Sequence, residues 1–268
     1  MLCKRKEKTI MEACSKWYKG SNFIALKPHS RSTTMASKIS SIAKHSGVLS
    51  STRRAYDALL LDAGGTLLQL SKPVAETYAA IGRKYGVRAS ENEIKRKFKQ
   101  AFAAPYSGNL RYQGDGKQFW KLVVSESTGC GDGDFFEEVY AFYANADAWR
   151  LPEGAYDALH HLKDAGVKMA VVSNFDNRLR NLLKDLRVIE VFDALIISSE
   201  VGFEKPDPRI FVAALDGLRV QPDRAVHVGD DEEADVDGAN AVGIASWLWG
   251  SHVKTFADIQ SRMLIRDS

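Results

Sequence analysis

The chain has 268 residues, 45% of them apolar and 26% charged, the balance of a soluble globular protein with room for one large domain or a domain plus an insert. Its net charge of +3 is unevenly placed: residues 1–55 hold 12 Lys and Arg against two Asp and Glu, and the remainder is net −7, which argues against a nucleic-acid-binding face on the folded part. No apolar run approaches the roughly 18 residues that would span a bilayer, and the three cysteines, Cys3, Cys14 and Cys130, make no disulfide framework.

In chain order, residues 1–54 come first: basic, poor in acids, rich in Ser and Thr, and without the apolar centre of a secretory signal. That is the composition of a transit peptide addressed to a chloroplast or mitochondrion. A plain basic tail on a cytoplasmic protein is the alternative, and the segment is set aside from the fold either way. Next, "YDALLLD" (56–62) predicts a buried strand. Residues 72–150 read as mostly helical, in four segments beginning near Pro73, Ser90, Gly116 and Asp134. Ser90 with Glu93 has the spacing of a capping box, and residues 105–109 and 129–134 are breaks. "KLVVSES" (121–127) is open between strand and helix.

Beyond residue 150 the pattern alternates. "KMAVVS" (168–173), "DALIIS" (193–198), "RAVHVGD" (224–230) and "IASWLW" (244–249) read as strands. Helical spacing appears between them, at Ala155, Ala158, Leu159 and Leu162, and at Ile210, Phe211, Ala214 and Leu215. Alternation of this kind predicts an α/β fold: a Rossmann-like, doubly wound parallel sheet joined by right-handed crossovers. The expected core is 55–71 with 151–268, and 72–150 is an inserted helical cap. Ligands of open parallel sheets bind beyond the carboxyl ends of the strands, so a cap inserted after the first strand closes over that site.

Chemistry-bearing residues sit at those predicted strand ends. Asp62 ends the first strand, Ser173 and Asn174 the second, and Asp230 and Asp231 the fourth, with Asp235 four residues on; Lys205 follows the third. Asp62 and Asp230 can share a hard divalent cation, Mg²⁺ above all. Lys205 and Ser173 can hold phosphoryl oxygens, and a carboxylate can itself attack phosphorus. Taken singly, each residue reads as a turn former, a helix cap or a solvated lysine. Their placement at ends of different strands is what points to a site.

The motifs "DAGGT", "MAVVSN", "EKPDP" and "VHVGDDEEADVDGANAVG" occur in that order between residues 56 and 248. The chain thereby resembles the haloacid dehalogenase superfamily of hydrolases, and its helical insert is similar to that family's type I caps. The resemblance implies Asp62 as nucleophile. It implies Mg²⁺ held by Asp62, the Gly64 carbonyl and Asp230, with Asp235, or less so Asp231, completing its surroundings. It implies Ser173 and Lys205 as catalytic residues binding the transferred group, with Asn174 and Thr66 at the substrate and Thr66 steadying the loop. The implied substrate is a small phosphorylated metabolite, with no nucleic-acid or membrane partner; oligomeric state is not legible.

One position departs from the family pattern. Where its phosphatases carry a second Asp, two residues after the nucleophile, this chain has Gly64. A positioned general acid–base is worth about 10²–10⁴ in rate, and glycine has no side chain to act as one. The expectations are therefore a phosphatase whose leaving group needs no proton or whose acid comes from elsewhere, Asp176 or Glu76; a dehalogenase- or phosphonatase-like hydrolase; or a catalytically silent binding protein. The cap aromatics, His227, Trp247 and Trp249 are expected to pack rather than to bind.

Overall fold

The computed structural model describes residues 52–106 and 110–266; the basic amino-terminal stretch, with its transit-peptide expectation, lies outside the described residues. The chain enters through β1 (Thr52–Arg54), β2 (Ala58–Leu61) and β3 (Gln69–Leu70). Four helices follow: α1 (Val74–Gly82), α2 (Glu91–Ala103), α3 (Lys117–Thr128) and α4 (Gly133–Ala144). Next come β4 (Trp149–Arg150), α5 (Ala155–Asp164), β5 (Lys168–Ser173), α6 (Arg178–Asp185), β6 (Ala194–Ile197), α7 (Ser198–Val201) and α8 (Pro208–Leu218). The chain closes with β7 (Ala225–Gly229), a π-helical turn (Glu232–Asp237), α9 (Gly238–Asn240), β8 (Ala245–Leu248), α10 (Phe256–Met263) and β9 (Leu264–Arg266).

Five strands form one parallel sheet in the order β6-β5-β2-β7-β8. These are the five strands read from the apolar runs. Each of the four residues of β2 is wholly buried, as expected of a strand covered on both faces. Side chains alternate across it: Leu59 and Leu61 join an apolar core with α5, α6 and α10, whereas Ala58 and Leu60 join one with α8 and α9. The chain leaves β2 on one side toward β5 and returns on the other at β7, so the strand order reverses beside β2. That reversal opens a crevice at the carboxyl ends of the strands, where Asp62 emerges.

The helical insert rests on the same core. Its two connections to the sheet pair as the short antiparallel ladder β3–β4, Gln69 opposite Arg150 and Leu70 opposite Trp149. The capping box forms at α2: the Glu93 N–H donates to Ser90 Oγ, and the Ser90 N–H donates to the Glu93 carboxylate at 2.8 Å. Residues 121–127, open between strand and helix in the sequence, lie within α3. Phe119, Val123, Ser127 and Thr128 fall on its buried side, and that packing outweighs the β-branched local preference. The cap aromatics pack on one another, Tyr78 edge-on to Phe98 and Tyr143, and Phe98 stacked on Phe102. Trp249 packs on Phe256 and Trp247 on Tyr56.

Candidate active site

Three strand ends and one loop converge at the crevice. Asp62 follows β2, and its N–H donates to Val228 O of the neighbouring strand at 2.9 Å. The next residues turn back on themselves, with Leu68 N–H donating to Ala63 O and Gly65 N–H to Leu68 O. Gly65 adopts φ +90°, and a Cβ there would lie 2.5 Å from Asp230 Oδ2. Glycine is therefore required twice over, for the backbone conformation and for the close approach of a carboxylate.

Lys205 carries the electrostatics. Its Nζ donates to Asp62 Oδ1 at 2.7 Å and to Asp235 Oδ1 at 2.6 Å, with its side chain 3% exposed. Ser173, ending β5, donates its hydroxyl to Asp62 Oδ1 at 3.2 Å. Asn174 fixes the lysine loop from the backbone side: Lys205 N–H donates to Asn174 Oδ1 at 2.7 Å, and Asn174 Nδ2 donates to Lys205 O at 2.9 Å. Asn174 also lines the cleft.

Asp230 follows β7 and Asp235 lies within the π-helical turn, an insertion often found at functional sites. Asp235 also contacts His227 Nε2 at 2.8 Å and accepts the Asp231 N–H at 3.0 Å. His227 is thus packed and hydrogen-bonded, as expected, and its partner is a site carboxylate. Asp231 is engaged as a cap, accepting the Ala234 N–H at 2.8 Å.

Burial and charge set the ionisation of this group. Burial pushes the Asp62 carboxyl up to about 6, against the pull of Lys205 and with the push of Asp235. Burial also opposes the charged form of Asp235, but Lys205 and His227 outweigh it and hold that carboxyl well below the usual range. Lys205 is desolvated, yet the two carboxylates keep it firmly protonated. Burial holds His227 below its ordinary value.

One carboxylate oxygen each from Asp62, Asp230 and Asp235 lies within 4.8 Å of the others. Opposite ligands of Mg²⁺ stand roughly 4.2 Å apart, so small side-chain rotations bring the three onto one ion. An all-oxygen donor set and a glycine cradle behind Asp230 fit a hard divalent cation.

The cleft above these groups measures about 310 Å³, at the small end of the roughly 300–1,000 Å³ usual for ligand sites. Asp62, Gly64, Ser173, Asn174, Lys205, Asp230, Asp231 and Asp235 line it from the sheet side, and Phe98, Phe102, Arg111 and Tyr112 from the helical insert. Thr66, expected at the substrate, does not line it: Thr66 is fully buried and its Oγ1 has no hydrogen-bond partner among the described residues. Backbone bonds among residues 63–68 close the turn that carries it.

The two stand-in acids are also placed elsewhere. Asp176 is fully buried but locked in a two-point pair with Arg178, at 2.8 and 2.7 Å, and accepts Trp120 Nε1–H from the cap at 3.2 Å. Glu76 pairs with Lys72 on an exposed face. Glu204 and Glu233, absent from the sequence reading, line the cleft instead. Glu204 Oε1 accepts the Arg111 N–H at 2.8 Å and the Tyr112 N–H at 3.4 Å, tying the residue before Lys205 to the cap. Its position next to Lys205 was the one available signal. For Arg111, in a loop with no motif, there was none.

Comparison with known proteins accords with this geometry. A family model described as haloacid dehalogenase-like hydrolase matches residues 56–243. The chain is 37% identical over 202 residues to the mouse protein named haloacid dehalogenase-like hydrolase domain-containing protein 3, covering 71% of this chain and 80% of that one. Among solved structures it is similar in fold to a HAD phosphatase from Thermococcus onnurineus, with TM-score 0.55, 24% identity and coverage of 76% and 96% of the two chains. It is similar also to the HAD-hydrolase YfnB of Bacillus subtilis bound to magnesium, with TM-score 0.58, 20% identity and coverage of 75% and 92%. The chain belongs to the haloacid dehalogenase-like hydrolases.

Proposed function

We propose that this hydrolase is a Mg²⁺-dependent phosphatase of a small phosphorylated metabolite, working through an aspartyl phosphate on Asp62. The observation that carries the reading is the meeting of Asp62, Asp230 and Asp235 within reach of one ion, with Lys205 and Ser173 both bonded to the Asp62 oxygen. Asp62, Asp230 and Asp235 would hold the Mg²⁺, with the Gly64 carbonyl beside them, and the ion would supply positive charge to phosphoryl oxygens.

This chain's residues do the rest. Lys205 and the Ser173 hydroxyl hold phosphoryl oxygens and orient the phosphorus over Asp62. A carboxylate oxygen of Asp62 attacks phosphorus, forming an O–P bond as the bond to the leaving oxygen breaks. Water then attacks phosphorus, the Asp62 carboxylate is released, and inorganic phosphate departs. Gly64 lines the cleft with no group to protonate the leaving oxygen. Esters with a stabilised leaving group are therefore turned over best, and alkyl phosphates slowly.

The test is release of phosphate from p-nitrophenyl phosphate and a panel of metabolite phosphates, with and without Mg²⁺, by wild type and Asp62→Asn. Mg²⁺-dependent activity lost in Asp62→Asn is the expected result. A panel with no turnover while Mg²⁺ still binds would make the chain a binding protein on a hydrolase fold.

A further inference from the structure

Cations are scarce in the cleft. Six carboxylates line it against two positive side chains, Lys205 and Arg111. Lys205 gives two of its three donors to Asp62 and Asp235 and keeps one for a ligand. Arg111 enters no ion pair among the described residues, and its guanidinium lies against two rings, 5.9 Å from the Phe102 ring centre and 5.8 Å from that of Phe119. Aromatic faces at this distance attract the cation weakly and leave its hydrogen-bond donors unused. A half-buried guanidinium whose donors meet no acceptor among the described residues, on the wall of an acidic cleft, is suited to an anion brought in by a ligand.

Its position is also fixed with respect to the catalytic lysine. The backbone N–H of Arg111 is held at 2.8 Å by the carboxylate of Glu204, the neighbour of Lys205. Burial raises the Glu204 carboxyl above its ordinary value, and the N–H donors of Tyr112 and Arg111, together with the nearby Arg111 charge, work against that rise without a side-chain bond between the two. Docking of the cap loop therefore sets two cation points in one cleft, Lys205 at the sheet and Arg111 at the cap.

We propose that Arg111 is a specificity-determining residue, and that the substrate carries a second anionic group, a carboxylate or a further phosphate, which the Arg111 fork binds while the first phosphate sits at Lys205 and Ser173. The assignment rests on the phosphatase reading for the place of the first anion. A guanidinium binds such groups in two-point fashion, which an ammonium cannot reproduce.

Non-hydrolysable ligands test it apart from turnover. Dissociation constants are measured by calorimetry on the Mg²⁺-loaded full chain for propylphosphonate, 2-carboxyethylphosphonate and propane-1,3-bisphosphonate. Wild type is expected to bind at least one doubly anionic ligand about tenfold more tightly than propylphosphonate, roughly 1.4 kcal/mol. The favoured one of the two identifies the second group as carboxylate or phosphate. That ratio is expected to fall to about one in Arg111→Met and Arg111→Gln, and in part in Arg111→Lys. Comparing ligands within each protein removes any general change in affinity. A wild-type ratio near one, a ratio unchanged in the variants, or no binding of any phosphonate would overturn the assignment. Failure of every phosphate ester to turn over, with the ratio intact, would overturn the phosphatase reading and leave Arg111 as the anion receptor.

Discussion

Lys205 Nζ lies 2.7 Å from Asp62 Oδ1 and 2.6 Å from Asp235 Oδ1, so a single buried ammonium is shared by two buried carboxylates. Removing one member of such a group leaves the others uncompensated, at a cost of about 3–5 kcal/mol. Lys205→Met is expected to lose that much in urea denaturation without metal, and to lose phosphatase activity. Mg²⁺ should restore part of the stability, because an ion bound only by the folded state stabilises it. A variant as stable as wild type in the absence of metal would show that the ammonium does not hold this group together.

Gly65 lets the Asp230 carboxylate approach the backbone of the turn after β2. A Cβ there meets Asp230 Oδ2 at 2.5 Å, and φ is +90°, a conformation that costs a non-glycine residue about 1–3 kcal/mol. Gly65→Ala is expected to lose stability in that range. Its Mg²⁺ affinity, read by calorimetry, should fall about tenfold or more as Asp230 is displaced, taking one of the ion's few carboxylate ligands with it. Unchanged Mg²⁺ affinity would mean that Asp230 is not a ligand.

Gly64, by contrast, is not among the residues with positive φ, so its backbone admits a side chain. Gly64 lines the cleft, and Gly64→Asp supplies the carboxyl that the family's phosphatases carry at this position. Turnover of alkyl phosphates is expected to rise, with about 10²–10⁴ the ceiling for a well-placed acid–base. The rise should be much smaller for p-nitrophenyl phosphate, whose phenolate leaves unprotonated. Equal or lower rates on alkyl phosphates in a folded variant would contradict the role given to the missing carboxylate.

Glu204 gives a pH signature. Burial raises its carboxyl above the 4.5 of an exposed glutamate, so the folded chain binds more protons there than the unfolded chain between the two values. Stability from this group is greatest below about pH 4.5 and is lost as pH rises through the folded value. Glu204→Gln keeps an oxygen for the Arg111 and Tyr112 N–H groups but cannot titrate. The stability of wild type minus that of Glu204→Gln, from urea denaturation between pH 4 and pH 8, is expected to decline with rising pH. A flat or rising difference would contradict the burial of this carboxyl.

The sheet was legible because its central strands β2, β5 and β7 are buried almost throughout and the half-buried edge strands β6 and β8 are still mostly apolar: all five follow runs read from the sequence. The site residues were legible to the extent that they end those strands. Asp62, Ser173, Asp230 and Asp235 converge because parallel strands share one carboxyl edge. Arg111 and Glu204 were not legible as a pair, since their contact joins two loops 93 positions apart by backbone donors that any residue carries. The placement of Thr66 was not legible either. A hydroxyl in a motif suggests a contact, but whether it faces the cleft or the interior depends on a turn whose closing bonds involve only backbone.

The aspartyl phosphate is the step on which the account depends. Mg²⁺-loaded protein is mixed with excess p-nitrophenyl phosphate, quenched in acid, reduced with borohydride and digested, and the peptide bearing Asp62 is sequenced by mass spectrometry. The expected result is an acyl phosphate at Asp62, reduced to homoserine at that position alone and absent without Mg²⁺. Full turnover with Asp62 never modified, or with the phosphoryl group on another residue, would contradict it.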